Sequence, residues 1–306
     1  MKTVLIVALF FNSILFAQQK PVKIYAERDK TNGSVIVYAD NNSNISYTVM
    51  LDFYQLENAQ HGFANPYLTT IRPGKSTVLT IKKSSTSNNS IKYRYKYNYR
   101  KGCANPIINK DIVYLIPVSP KKETSIKYLN NFSSSKFGKE LPKDWVVYGF
   151  KLMKGDTVYA SRSGVVSKIK KPDKIVGEYA VYDSNRGYIQ VFHKDCSFMS
   201  YVSLDKFFVK EGGEVITGQP IGIMGANKNK ERTTLIMSAF YNDIKVLTNG
   251  KMESNRVYLP LKFDVNGSPQ SLFEENAYHS VHRFETITQE MRKREIKKYK
   301  KQKGIK

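Results

Sequence analysis

Residues 91–100 alternate without a break: Tyr93, Tyr95, Tyr97 and Tyr99 are interleaved with Lys92, Arg94, Lys96, Asn98 and Arg100. A period of two is the signature of a strand, because successive side chains of an extended backbone point to opposite faces. The tyrosines share one face and the cations occupy the other. The plain expectation is a half-buried strand with a solvated basic face, and the alternative is an aromatic ligand platform. Further short runs at 22–27, 34–39, 46–54, 76–82 and 112–117 are separated by Asn, Ser and Gly clusters. That spacing predicts a β-sandwich of immunoglobulin-like size over residues 18–118. No catalytic constellation is evident in this half.

Residues 119–144 are rich in Pro, Lys, Ser and Asn, including Ser133, Ser134 and Ser135, and read as a connecting loop. A second all-β region follows over 145–263, with strands expected at 157–160, 164–169, 188–193, 198–203, 214–216, 221–224 and 234–241. Residues 264–306 form a basic tail. Its stretch from Phe284 to Lys306 lacks Pro, has Gly only at Gly304 and carries a weak apolar stripe of Ile287, Met291, Ile296 and Tyr299. A charged, fraying terminal helix is expected there, as a solvated tail or as an anchor for an anionic surface.

The first residues carry one cation, Lys2, then an apolar run from Val4 to Phe16 interrupted by Asn12 and Ser13, and a small residue at Ala17. This is the pattern of an export signal over residues 1–17, too short for a permanent membrane span. The 306 residues suit two domains. A formal charge of +23 favours anionic partners. In an exported chain these are wall polymers, lipid headgroups or acidic proteins rather than nucleic acid. Cys103 and Cys196 are the sole cysteines, and an oxidising compartment would permit a disulfide between them; two separate thiols are the alternative.

Four segments of the second region carry a resemblance. They are Gly155-Asp156-Thr157-Val158-Tyr159-Ala160 with Gly164-Val165-Val166; the run from Gly187 to His193 followed by Tyr201-Val202-Ser203-Leu204; the run from Val209 to Gly222, containing Gly218-Gln219-Pro220-Ile221-Gly222; and Thr234-Leu235-Ile236-Met237. In order and spacing they resemble the lysostaphin or LytM-type zinc endopeptidases, which cut peptide cross-links of bacterial cell wall. The resemblance covers roughly residues 145–263 and implies an all-β fold, a LytM-type β-barrel or sandwich following the N-terminal sandwich.

It also implies where chemistry should sit. Such a site holds zinc with two His and one Asp and keeps a fourth position for the attacking water. Aligned with the family, the ligand Asp falls on Gly149, the first ligand His on Trp145, the His of Tyr-Ala-His-Leu on Ser203, and the two His of the last strand on Thr234 and Ile236. None of these supplies an imidazole or carboxylate, so no metal and no cofactor are expected, while the glycine turns and alternating strands that specify the fold persist. His193 matches a family His that is not a ligand and is expected to be structural. His279 and His282 could share a helix face, but with no assigned partner they read as a surface pair; His61 stands alone.

Three functions follow as expectations. The first is an exported, periplasmic or extracellular envelope protein with an inactive peptidase domain that binds peptidoglycan or regulates a cell-wall hydrolase, as degenerate members resembling this family can do. The second is an active zinc metallo-endopeptidase with an unrecognised ligand set. The third is a biotin- or lipoyl-type carrier, suggested by Met153-Lys154 before Gly155 and disfavoured by the export signal.

Overall fold

The computed structural model describes residues 20–60, 62–129, 144–172, 186–225 and 232–305. The expected leader, His61 and Ser133, Ser134 and Ser135 lie outside the described residues. The first half contains β1 (Val22–Arg28), β2 (Val35–Asn41), β3 (Tyr47–Glu57), β4 (Tyr67–Ile71), β5 (Gly74–Ile81), β6 (Lys92–Lys101) and β7 (Val113–Tyr114). Antiparallel pairing gives one sheet in the order β1-β2-β5 and a second in the order β4-β3-β6. Their inner faces meet in one apolar cluster, with Val22, Val35 and Val37 from one side and Val49, Leu51 and Phe53 from the other. In β6 the tyrosines are half-buried against this cluster. On the opposite face Lys92 and Lys96 reach Glu57 and Asp52 of β3 at 3.6 and 3.0 Å. The plain reading of that alternation holds.

The second region comprises β8 (Glu123–Tyr128), β9 (Tyr148–Met153), β10 (Thr157–Tyr159), β11 (Gly164–Lys170), β12 (Gly187–Phe192), β13 (Phe198–Phe207), β14 (Glu214–Val215) and β15 (Pro220–Met224). It continues through β16 (Arg232–Val246), β17 (Met252–Leu259), β18 (Lys262–Val265), β19 (Ser268–Gln270), β20 (Ala277–His279), α1 (Phe284–Thr288) and α2 (Lys293–Lys303). Among the described residues the main sheet runs β14-β11-β12-β13-β16-β9-β8-β20, with β10, β15 and β17 branching from it. It stays open rather than closing into a barrel. One face is a continuous core that includes Phe150, Val166, Ile189, Val191, Tyr201, Leu235 and Met237. The Gly-Gln-Pro-Ile-Gly segment owes its glycines to geometry: Gly218 has φ +79°, and a Cβ on Gly222 would lie 2.5 Å from the Lys206 carbonyl oxygen.

Two expectations are corrected. Residues 119–144 are not simply a loop, because β8 pairs with β9 and β20 inside the main sheet. Its Ile126 is fully buried, and that burial outweighs the loop-like composition around it. Residues 264–306 are not a tail. Leu272 and Tyr278 belong to the core, Thr286, Ile287 and Thr288 are buried, and the helical stretch is broken in two. The break falls at Arg292, which is extended (ψ 157°), with the Glu295 carboxylate accepting its N–H at 2.7 Å. Only α2 exposes a basic surface, and Phe284 of α1 packs on its Tyr299.

The halves are joined. Cys103 and Cys196 form a disulfide, Asn242 Nδ2 donates to the Lys101 carbonyl at 2.8 Å, and the sandwich cluster extends onto the main sheet through Val147, Phe198, Phe240 and Tyr258.

Candidate functional site

Strand register decides which side chains can meet. Lys127 of β8, Gly149 of β9, Ile236 of β16 and Val202 of β13 stand side by side across the sheet. Phe150 and Leu152 enter the core from β9, as do Leu235 and Met237 from β16. Alternation therefore places Gly149, Lys151, Thr234 and Ile236 on the opposite face. The fold thus brings together three positions that the resemblance assigns to the family's zinc site, Gly149 and Ile236 among its ligands and Thr234 as the other His of the last strand. Ser203 lies one residue beyond Val202, buried and at φ +87°, next to a register irregularity in β13. Trp145 lies just before β9. Its ring packs edge-on against Tyr258 at 4.7 Å, and its Nε1 is buried with no hydrogen-bond partner among the described residues.

These residues do not fit a zinc ion. Gly149 has no side chain, and a Cβ there would meet Thr234 Cγ2 at 3.0 Å and Leu129 Cδ1 at 3.2 Å, so Leu129 and Thr234 already crowd the place a carboxylate would leave from. Ile236 offers no lone pair and packs, with Trp145 and Leu129, against the apolar cluster shared with the sandwich. Ser203 Oγ accepts a hydrogen bond from Arg186 Nη1 at 3.0 Å. A guanidinium at the aligned position Ser203 and Lys127 beside the ligand position Gly149 place positive charge around the place where a dication would have to be held. Among the described residues no three His, Cys, Asp or Glu side chains are grouped to bind a metal.

The other histidines are held by backbone. His193 is buried, its Nδ1–H donates to the Ser163 carbonyl at 2.7 Å, and its Nε2 has no partner among the described residues. Burial, then the neighbouring Arg162 charge, hold its pKa well below the ordinary imidazole value, so it is neutral. His282 donates from Nε2 to the Val118 carbonyl at 3.0 Å and sits edge-on to Tyr159, whereas His279 is exposed, 3.6 Å from Glu123. These two do not share a helix face; His279 ends β20, and His282 lies in the turn before α1.

Sequence reading passed over Arg162. It is 1% exposed and pairs with Asp195 at 2.9 Å and with Glu290 through two hydrogen bonds of 2.8 and 3.0 Å, while Tyr114 and Ser197 take its remaining reach. It pins the approach to α2 against the β10–β11 turn. A lone arginine between Ala160-Ser161 and Ser163-Gly164 was the available signal. Also passed over were Lys127 and Lys151, which with Lys122 and Gly149 line a cavity of about 580 Å³ on the cleft face.

The sequence of residues 148–247 matches the family model of peptidase family M23. No curated protein is matched by sequence. Among solved structures, the M23 metalloprotease pseudoalterin from the deep sea aligns at 14% identity with a TM-score of 0.32, over 55% of this chain and 99% of its own. A zinc-containing peptidase from Vibrio cholerae aligns at 13% identity with a TM-score of 0.26, over 76% and 83%. Scores this low add nothing to the assignment, which rests on the family match and excludes the carrier reading of Lys154, a residue inside the matched span. Residues 148–247 are a peptidase M23, LytM-type, domain.

Proposed function

We propose that this chain is an exported envelope protein whose M23 domain binds peptidoglycan or regulates a cell-wall hydrolase without hydrolysing anything itself. One observation carries the reading: the aligned site positions Gly149, Thr234 and Ile236 share one face of the sheet and provide a crowded glycine, a hydroxyl and a hydrocarbon. A Zn²⁺ site needs imidazole nitrogen, thiolate or carboxylate in such places. Beside these positions a cavity of about 580 Å³ has room for a short peptide. Placement outside the cytoplasm is supported by the leader-like residues 1–17 and by the Cys103–Cys196 disulfide, a bond that persists in oxidising compartments. The exposed cations of α2 supply a surface for anionic envelope components.

Co-sedimentation of the full chain with purified sacculi tests this. We expect retention that weakens with added salt, with no release of soluble wall fragments; release of fragments that chelator abolishes would replace the binding module by an enzyme.

A further inference from the structure

The cavity beside Gly149 carries an excess of positive charge that the fold does not neutralise. Of the three lysines lining it, Lys122 is paired with Asp156. Lys127 and Lys151 are exposed and form no ion pair among the described residues. One carboxylate, Glu123, also lines the cavity and lies 3.6 Å from His279 at its rim, leaving two unpaired lysines against one acid, while Glu274 accepts the Tyr128 backbone N–H. Lys127 is the direct cross-strand neighbour of Gly149, and Lys151 lies two residues further along β9. Diagonal neighbours of this kind have Cα atoms roughly 7–8 Å apart, so two lysine side chains can bring their ammonium groups to one small anion between them. Over Gly149, which has no side chain of its own, Thr234 and Leu129 form the floor of the cavity.

The rest of the lining indicates what the anion is attached to. Leu129 and Met153 offer apolar contact, and Ser125 and Thr234 offer hydroxyls. Strand β9 is paired on both sides, with β8 and with β16, so a ligand cannot add to it as a strand and must be held by side chains. We infer that this cavity binds the free carboxylate of a short peptide, with Lys127 and Lys151 meeting the charge above Gly149. The inference rests on the envelope reading only in the choice of peptide, a cell-wall stem peptide. The two ammonium groups here have the role of recognition, beside the aligned ligand position Gly149.

The test is fluorescence anisotropy with the full chain and an N-terminally labelled Ala-D-Glu-Lys-D-Ala peptide, against the same peptide with both carboxylates amidated. The wild type should bind the acid at least about tenfold more tightly than the amide, the loss expected for a charge-assisted hydrogen bond. The Lys127→Gln/Lys151→Gln variant, altered only at exposed positions, should melt at the wild-type temperature and lose that discrimination. Equal binding of acid and amide, an unchanged preference in the variant, no binding of either peptide, or full displacement of the acid by equimolar inorganic phosphate would each overturn the inference. Sacculus binding measured in parallel separates the two proposals. Retention on sacculi with failure of the peptide arms removes the carboxylate site alone, and peptide discrimination without sacculus retention removes the envelope reading alone.

Discussion

At the scale of single residues, Gly149 and His193 show what the M23 scaffold carries at and near the aligned site. Restoring a carboxylate by Gly149→Asp inserts atoms where Thr234 and Leu129 already stand at 3.0 and 3.2 Å. Overpacking of this kind costs about 1–3 kcal/mol. Chemical denaturation should show a loss of that order, smaller when the same change is made in a Leu129→Ala background; equal losses in both would refute crowding as the cause. His193 makes a prediction about pH. Burial and Arg162 depress its folded-state pKa, so as pH falls below about 6.5 the unfolded chain takes up a proton that the folded chain refuses. Its contribution is therefore a loss of stability on acidification, at up to about 1.4 kcal/mol per pH unit. Asp195, kept charged by Arg162 and Ser197 in spite of its burial, withholds its own loss until lower pH. His193→Gln should flatten the slope between pH 6.5 and 4.5 in melting experiments, and an unchanged slope would show that the imidazole is not held neutral. The sequence exposed the positions that align with the family's site because the motifs around them are local. It did not expose Leu129 or Arg186, whose meeting with Gly149 and Ser203 depends on tertiary structure.

At the scale of elements, alternation made most strands readable. β2 buries and β6 half-buries every second residue, and each stands where the sequence places a strand. Two of the strands it hid have a weak pattern of their own. β8 reads Glu-Thr-Ser-Ile-Lys-Tyr within a loop-like stretch, and β17 is largely polar and follows β16 through a turn. Both exist because a neighbour supplies the pairing and the burial. The C-terminal segment escaped for a related reason. Its charges suggest solvation, yet Glu290 is one of two carboxylates facing the buried Arg162. Arg162→Met would leave Asp195 and Glu290 without their counter-charge, and breaking a buried pair in this way costs roughly 3–5 kcal/mol. We expect a lowered melting temperature together with protease cleavage between α1 and α2. Retained stability and protection would show that the segment is held by its apolar contacts alone.

At the scale of the whole molecule, the two halves act as one support for the cleft. The disulfide from Cys103 to Cys196 and the apolar cluster running from Val22 to Tyr258 fix the sandwich against the main sheet on the face that carries Ile236. That packing gives a physical reason for hydrocarbon at a position where a metallopeptidase would need imidazole. Metal analysis of the full chain, purified and dialysed after exposure to excess zinc, tests this most directly. The account predicts far less than one zinc per chain and no change in melting temperature on adding a chelator; one tightly held zinc per chain, removed by chelator together with wall-lytic activity, would contradict it.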